Sequence, residues 1–191
     1  MRKLQVFNLI TLDGYFTGEN GDISWHKTDE EFQELAEKAS TSGNTLLFGR
    51  VTYELMAAYW PAPAALKDDP VVARGMGASP KIVFSRKLKE AAWENTRLVK
   101  GDMLGAVRRL KRGSGKPLVV LGSGSLVAQL AQAGLVDEYQ LLVVPVIIGK
   151  GRPLFEGVRR RVDLRLVSTR AFANGNVLLT YHPAKTKKRG R

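Results

Sequence analysis

Two short segments of this chain carry the residue types that suit the binding of a phosphate. Residues 46–54 (LLFGRVTYE) and residues 119–126 (VVLGSGSL) each begin with an apolar run, reach a glycine and continue with a helical pattern. A strand that ends at glycine before a helix turns free backbone N–H groups and the positive helix end toward one point. Two such junctions in one chain predict a pyrophosphate held between two helix starts, an arrangement typical of dinucleotide-binding folds.

The first junction adds a positive charge and a hydroxyl group to these backbone donors. Gly49 ends the predicted strand, Arg50 stands at the helix start, and Thr52 lies in the first turn. A guanidinium, a hydroxyl and open N–H groups together bind phosphate well. A helix start with an ordinary surface arginine is the alternative that this segment leaves open.

The second junction is a tight glycine loop between a predicted buried strand and a helix. Its residues are Gly122, Ser123, Gly124 and Ser125. The loop departs from the usual dinucleotide fingerprint, because Val127 stands where the third glycine would be, and no Gly-Lys-Ser/Thr follows as in a P-loop. A glycine-rich connection that serves only packing is therefore the alternative to a pyrophosphate site.

A third predicted strand ends at Ser85 and Arg86. The carboxyl ends of parallel strands share one edge of a sheet, and ligands bind there. If Arg50 meets Ser85 and Arg86 at that edge, the three side chains form a cationic pocket that favours the extra 2′-phosphate of NADP over NAD. A solvated surface is again the alternative.

Composition excludes several classes of chemistry. The 191 residues are 44% hydrophobic and 25% charged, which fits one globular domain. The absence of cysteine excludes disulfides and thiolate chemistry and favours a cytoplasmic protein. His26 and His182 are the only histidines, so we expect no metal site. No apolar run reaches the roughly 20 residues that span a membrane, so we expect no membrane partner.

The formal net charge of +12 has two interpretations. Residues 185–191 (KTKKRGR) supply five of the positive charges and no negative one. A basic surface of this kind can bind nucleic acid. We favour a solvated basic surface with a disordered tail over residues 184–191, because no aromatic residues alternate with the charges to stack on bases.

The hydrophobic pattern predicts an α/β fold with a mostly parallel sheet and an antiparallel edge. A capping box at Thr28 and Glu31 begins a helix that runs to Ser40, and Asn174-Gly175 joins a closing hairpin. The remaining predicted elements are strands 3–12, 44–49, 81–84, 97–99, 117–121, 137–148, 163–172 and 176–182, and helices over 51–59, after Asp102 and after Ser123. Prolines predict a long loop over 60–79, and Pro145 predicts a bulge or a switch of pairing inside its strand.

Four segments resemble the dihydrofolate reductase superfamily. The Gly-Arg-x-Thr-x-Glu pattern of residues 49–54 is similar to dihydrofolate reductase, and residues 12–16 (LDGYF) resemble the reductase domain of the riboflavin-pathway deaminase–reductase. Residues 121–126 and 144–155 also resemble that family, the last through its Pro…Gly-x-Gly-x-Pro-Leu-Phe form. The resemblance covers residues 1–183 as one reductase-like domain.

This resemblance implies an NADPH-binding three-layer α/β/α fold with a central mixed sheet, often homodimeric. By position, it assigns Gly49, Arg50 and Thr52 to the nucleotide phosphates, and Ser85 and Arg86 to the 2′-phosphate. The residues that would hold the pyrophosphate are Gly122, Ser123, Gly124, Ser125 and Leu126. A zinc deaminase domain is excluded, because the chain has no cysteine and no room for it.

The resemblance is weaker for catalytic residues. Dihydrofolate reductase has a carboxylate at the start of its first helix, where this chain has Asp29 and Glu30, although no strict motif fixes either one. Asp13 is the better candidate for catalysis and substrate binding, because it follows the first strand and should face the shared edge. An Asp-Gly turn residue is the alternative. Trp25 could stack on a flat substrate ring or lie in the core.

These observations predict an NADPH-dependent reductase. We expect hydride transfer to a C=N or C=O group of a small pterin- or pyrimidine-like heterocycle or of a sugar-linked substrate, as in 5-amino-6-(5-phosphoribosylamino)uracil reductases. A carboxylate or a bound water would supply the proton. The alternative is a non-catalytic protein of the same fold that binds NADPH or nucleic acid.

Overall fold

A computed structural model describes residues 1–184 as strands alternating with helices. The strands are β1 (Leu4–Thr11), β2 (Tyr15–Thr17), β3 (Thr45–Gly49), β4 (Lys81–Phe84), β5 (Thr96–Val99), β6 (Leu118–Leu121), β7 (Glu138–Val144), β8 (Arg152–Pro153), β9 (Leu164–Ala171) and β10 (Val177–Pro183). The helices are α1 (Glu30–Ser40), α2 (Arg50–Tyr59), α3 (Pro63–Asp68), α4 (Pro70–Ala78), α5 (Met103–Arg112) and α6 (Gly124–Gln132), with a 3-10 turn at Glu19–Gly21.

The central sheet has eight strands in the order β5-β4-β3-β6-β1-β7-β10-β9. The first six strands in this order pair in parallel. β10 is antiparallel to β7, and β9 is antiparallel to β10, so the closing hairpin forms one edge. The predicted mixed, mostly parallel sheet with a C-terminal antiparallel hairpin is confirmed.

Apolar side chains on the two faces of the sheet form two separate cores. On one face, α5 and α6 pack on β1 and β6, for example through Val107, Val127 and Val6. On the other face, α2 and α4 pack on β3 and β4, for example through Tyr53 and Phe48. Helices on both faces of a sheet whose middle strands are apolar are the arrangement expected for a parallel sheet. The three-layer architecture is therefore the predicted one.

The predicted loop over 60–79 is wrong, because most of that segment is helical. Pro63 begins α3 and Pro70 begins α4. A proline suits the first position of a helix, since its missing N–H would have no partner there and its φ angle is already helical. Here the prolines start helices instead of excluding them.

The predicted capping box at Thr28 is also wrong. Asp29 caps α1, since its Oδ1 accepts the Phe32 N–H at 2.8 Å. Glu31 points away to the C-terminal hairpin, where its carboxylate accepts from Arg170 at 2.8 Å and from the Ala173 N–H at 2.7 Å. The carboxylate of Asp29, one residue after Thr28, caps a helix as well as a threonine hydroxyl does.

Two further boundaries differ from the prediction. β7 ends at Val144, so Pro145 follows the strand and creates no bulge within it. Residues 15–17, which lie outside every predicted element, form β2, which pairs antiparallel with β8. Such short pairings leave no periodic pattern in the sequence.

The described residues contain no helix long and apolar enough to cross a membrane. Residues 185–191, which make up nearly all of the predicted basic tail, lie outside the described part of the chain.

Candidate functional site

The predicted phosphate-binding residues follow neighbouring strands at one edge of the sheet. Gly49 pairs with Phe84 across β3 and β4, so Arg50 and Ser85 come directly after paired positions. Leu47 pairs with Val120 across β3 and β6, so the Gly122 loop begins beside the end of β3. The parallel order therefore brings all three predicted strand ends to the same edge.

A hydrogen-bonded bridge joins the two glycine junctions. The Gly49 N–H donates to Ser123 Oγ at 2.8 Å, and Ser123 Oγ donates to Thr52 Oγ1 at 2.9 Å. Ser123 is almost fully buried and adopts the left-handed conformation (φ 61°, ψ 57°), which is rare for residues other than glycine. This strained residue holds the starts of α2 and α6 next to each other.

The glycines of the second junction lie close against neighbouring side chains. A Cβ at Gly122 would lie 3.0 Å from Thr52 Cγ2, and its φ of +57° also favours glycine. A Cβ at Gly124 would lie 2.6 Å from the ring of Phe16, which belongs to β2. The junction therefore contacts both α2 and the segment that follows Asp13.

Neither α2 nor α6 has a side-chain cap within the described residues. The first N–H groups of a helix have no carbonyl partner inside the helix, so an anion can take that place. Arg50 adds a guanidinium at the start of α2, where its Nη1 donates to Glu54 Oε2 at 2.6 Å. Both side chains of this pair are partly exposed. Backbone donors and a cation thus face the same edge.

The remaining predicted cofactor residues differ in accessibility. Ser85 Oγ accepts the N–H groups of Lys87 and Leu88, so this hydroxyl shapes the turn after β4. Arg86 is exposed beside it. Ser125 is exposed in the first turn of α6.

Leu126 lies differently from these residues. Its side chain is buried in the core, and its N–H donates to the Ser123 carbonyl at 2.8 Å. It therefore anchors the start of α6, and its side chain does not face the edge of the sheet.

Asp13 fixes the loop that follows β7. Its carboxylate accepts the Gly149 N–H at 2.8 Å and the Ile148 N–H at 3.4 Å. The hydrogen bond from the Thr11 side chain, together with these backbone donors, lowers the pKa of Asp13. The side chain is exposed and ionised at neutral pH, so it can orient a donor group of a ligand but is a poor proton donor.

The other predicted substrate and catalytic residues lie near the start of α1. Trp25 is half-buried, and its indole N–H donates to the Asp22 carbonyl at 3.2 Å. Its ring meets His26 edge-on at 4.5 Å between centroids, and burial lowers the pKa of His26. Glu30 is exposed in the first turn of the helix. No hydrogen bond joins these side chains to Asp13 within residues 1–184.

Two clefts lie away from this edge of the sheet. One of about 380 Å³ is lined by Ser40 and Gly75. The other, of about 940 Å³, lies between α2 and α4 and is lined by Glu54, Trp60 and Trp93. Neither cleft is lined by a glycine of the two junctions. The candidate site is therefore identified by the chemistry of the residues that meet there and not by the size of a cavity. No group of three metal-ligating side chains occurs among the described residues.

Sequence reasoning missed three residues that shape this site. Phe16 packs under Gly124, Glu54 holds Arg50, and the Gly149 backbone binds Asp13. The glutamate belongs to the Gly-Arg-x-Thr-x-Glu pattern, and its spacing of four from Arg50 on a helix could have indicated the pair. No local signal indicates the other two contacts.

The chain matches the family model described as RibD C-terminal domain over residues 2–178. The uncharacterized protein YyaP of Bacillus subtilis (strain 168) is 32% identical over 184 residues, which are 95% of each chain.

Two solved structures share the fold at low sequence identity. One is a diaminohydroxyphosphoribosylaminopyrimidine deaminase/5-amino-6-(5-phosphoribosylamino)uracil reductase from Thermotoga maritima, at a TM-score of 0.67 and 17% identity; the match spans 96% of this chain and 57% of that longer one. The other is dihydrofolate reductase from Enterococcus faecalis in complex with NADP(H), at a TM-score of 0.65 and 18% identity, over 96% and 97% of the two chains.

Proposed function

This chain belongs to the RibD C-terminal domain family, and we propose that it is an NADPH-dependent reductase acting on a small heterocyclic substrate. The supporting observation is the bridge from Gly49 through Ser123 to Thr52, which brings two uncapped helix starts to one edge of the sheet. The substrate class that we propose is pyrimidine- or pterin-like or sugar-linked, with a C=N or C=O group as hydride acceptor. We also propose a cytoplasmic homodimer.

The residues at this edge fit a dinucleotide. Contacts with Thr52 and Phe16 favour glycine at positions 122 and 124, so these two residues offer only backbone groups, as a pyrophosphate seat requires. Arg50 and Arg86 supply positive charge on neighbouring strand ends. When bound, NADPH supplies the hydride.

Each of the proposed cofactor-binding residues would have one role. The first-turn N–H groups of α6, including that of exposed Ser125, would bind the pyrophosphate. Arg50 would bind a phosphate oxygen, and Arg86 with Ser85 would bind the 2′-phosphate. Thr52 and Ser123 bond each other, so we assign them to holding the two helix starts at a fixed spacing. These assignments predict a preference for NADPH over NADH.

The substrate would lie beside Asp13 at the same edge. Because Asp13 is ionised, it would accept a hydrogen bond from a ring N–H and orient the substrate. Trp25 would form an apolar wall for a flat ring. The proton would come from bound water, since Asp29 caps α1 and Glu30 faces solvent. A protein of this fold that binds NADPH without catalysis is the second candidate, and only turnover separates it from the first.

The first experiment is a titration of the purified protein with NADPH and with NADH, followed by nicotinamide fluorescence. We expect NADPH to bind at least about tenfold more tightly, because one charge-assisted contact to the 2′-phosphate contributes that much. Binding of neither nucleotide would refute the proposal and make the glycine junctions purely structural.

A second measurement separates an enzyme from a binding protein. Oxidation of NADPH is followed with 5-amino-6-(5-phosphoribosylamino)uracil and with dihydrofolate as trial substrates. Asp13→Ala should lower turnover and leave the NADPH dissociation constant unchanged. Turnover that survives this substitution would remove Asp13 from the mechanism, and the absence of turnover with every trial substrate would favour the binding protein.

A further inference from the structure

Arg50 occupies a helix position that disfavours a positive charge. It is the first residue of α2, and the first turn of that helix contains no acidic residue. The N-terminal end of a helix carries a partial positive charge, so a cation there raises the free energy of the helix. An anion bound at the same place would remove this penalty. The position of Arg50 therefore suits a residue whose function is to bind an anionic ligand.

A single carboxylate neutralises Arg50 in the described structure. Arg50 Nη1 donates to Glu54 Oε2 at 2.6 Å, and the two side chains are 39% and 44% exposed. In a helix, a pair with the base before the acid is the less stabilising order. Exposed pairs of this spacing contribute little to stability in either order. Helix stability alone thus does not account for the pair.

Glu54 pairs with Arg50 of the candidate cofactor site and also lines the 940 Å³ cleft, together with Glu90 and Glu94. A phosphate bound by Arg50 would meet the Glu54 carboxylate on the same guanidinium. Two anions on one cation compete, and the bidentate contact of guanidinium with phosphate is stronger than an exposed pair with a carboxylate. Phosphate therefore displaces the Glu54 carboxylate from Arg50. The net affinity of the phosphate for the site is lower by the free energy of the Arg50–Glu54 pair that must break.

We propose that Glu54 sets the affinity of the cofactor site by competing with a nucleotide phosphate for Arg50. The inference rests on the proposed NADPH-binding function. It adds a residue, Glu54, whose role is to weaken the binding of NADPH. In a reductase the oxidised nucleotide must leave after each hydride transfer, and product release often limits turnover. If the Glu54 carboxylate pairs with Arg50 again as the phosphate leaves, release of the oxidised nucleotide becomes faster.

The test is the substitution Glu54→Gln in the full chain, with NADPH, NADH and adenosine 2′,5′-bisphosphate as probes. Loss of the competing charge should tighten NADPH about two- to fivefold, chiefly through slower dissociation in stopped-flow measurements. Adenosine 2′,5′-bisphosphate should follow NADPH if Arg50 binds the 2′-phosphate. If Arg50 binds the pyrophosphate, NADH should tighten as well.

The matched control is Glu34→Gln on α1. Glu34 pairs with Lys38 at 3.7 Å with the same spacing of four, on a helix that carries no predicted phosphate-binding residue. This substitution removes the same charge from the chain and should leave nucleotide affinity unchanged. An equal tightening in both variants would indicate a general effect of net charge and would overturn the inference.

The double variant Arg50→Gln/Glu54→Gln decides whether Glu54 acts through Arg50. Arg50→Gln alone should weaken NADPH, and in that background Glu54→Gln should have no further effect. Unchanged or weaker binding in the single Glu54→Gln variant, or tightening that persists without Arg50, would overturn the inference. Wild-type protein that binds no NADPH would instead refute the proposed function, so the two failures are distinct.

Discussion

Apart from α3 and α4, which begin with proline and also lack a side-chain cap, the helices of this protein begin in two different ways. α1 and α5 begin under an aspartate: Asp29 accepts the Phe32 N–H at 2.8 Å, and Asp102 accepts the Gly105 N–H at 2.9 Å. α2 and α6 begin at Gly49 and Ser123, and no side chain caps them in the described part of the chain.

Under the proposed function, this difference separates structural helix ends from the helix ends that bind the cofactor. A start capped by aspartate has one of its orphan N–H groups satisfied, and the carboxylate places a negative charge there that repels an anionic ligand. An uncapped start leaves them open, which costs stability unless water or an anion binds. The two uncapped starts that follow directly on parallel strands are also the two that the Ser123 bridge brings together. This coincidence is the strongest argument for an anionic ligand.

The end of α4 belongs with the capped helix ends. Lys81 Nζ donates to the carbonyls of Met76, Gly77 and Ser79 at 2.7, 2.9 and 2.8 Å. The side chain is 1% exposed, and its ammonium lies 4.3 Å from the centroid of the Trp93 ring. A buried cation there satisfies the last carbonyls of the helix. This lysine is thus assigned a structural role.

The largest expected effect comes from filling the uncapped junction. Gly122→Ala places a methyl group against Thr52 in a left-handed conformation, and we expect a loss of about 2–4 kcal/mol in the free energy of unfolding. Displacement of the α6 start should also weaken NADPH binding at least about tenfold. Thermal unfolding and nucleotide titration measure the two effects.

Gly134→Ala is the matched control for this substitution. Gly134 has a φ of +64°, close to the +57° of Gly122, but nothing lies within 4 Å of its would-be Cβ. We expect only the conformational cost of about 1 kcal/mol and unchanged NADPH binding. If Gly122→Ala bound NADPH as tightly as Gly134→Ala does, the uncapped junction would not be the binding end.

A smaller effect is expected at the capped end of α4. Lys81→Met keeps the volume but removes the donor to three carbonyls, so we expect a loss of about 1–3 kcal/mol at neutral pH. NADPH binding should not change, because Lys81 begins β4 at the opposite end from Ser85. Denaturant unfolding at neutral pH, combined with titration, checks both statements. Weakened NADPH binding in a folded variant would contradict the assigned structural role.

The same lysine predicts a pH dependence of stability. Burial lowers the pKa of Lys81 from 10.5 to about 8. Between these two values the unfolded chain binds more protons than the folded one, so the free energy of unfolding rises with pH. The wild type should gain on the order of 1–3 kcal/mol relative to Lys81→Met from pH 8 to 10.5. A constant difference would mean that the three carbonyls keep the ammonium fully charged.

The smallest effect is expected at a capped helix start. Asp102→Ala removes the acceptor for the Gly105 N–H and should lower the free energy of unfolding by about 1 kcal/mol. Nucleotide binding should stay the same. Asp102→Asn should recover most of the loss, because an amide oxygen also caps a helix. A change in NADPH affinity would remove the distinction between capped and uncapped starts.

Much of the fold follows from local signals in the chain. Glycines after apolar runs marked the ends of β3 and β6, Asp102 marked the start of α5, and Asn174-Gly175 marked the closing hairpin. These signals act within a few residues, so sequence alone expresses them. Pro63 and Pro70 do not mark a loop. Proline breaks the interior of a helix but suits its first position, and composition does not distinguish these two positions.

The candidate site was predicted only in part. Sequence patterns identified Gly49, Arg50, Thr52 and Ser123 as candidates, because glycine, cation and hydroxyl types are recognisable in isolation. The side chain of Leu126 faces the core, and whether a side chain faces the core or the edge depends on how its helix packs. The shape of the turn at Ser85 depends likewise on its bonds to Lys87 and Leu88. Their proposed contacts with a cofactor stay predictions.

By itself the sequence determined most of the strands and helices, apart from α3, α4 and the β2–β8 pair, and the places where the backbone is free of side chains. The tertiary structure decided which groups meet. The Gly49–Ser123 and Thr52–Ser123 bonds join residues 74 and 71 positions apart, and the Asp13–Gly149 bond joins residues 136 apart. Such contacts depend on the order and register of strands, which result from burying two apolar faces at once, and no local pattern encodes that order.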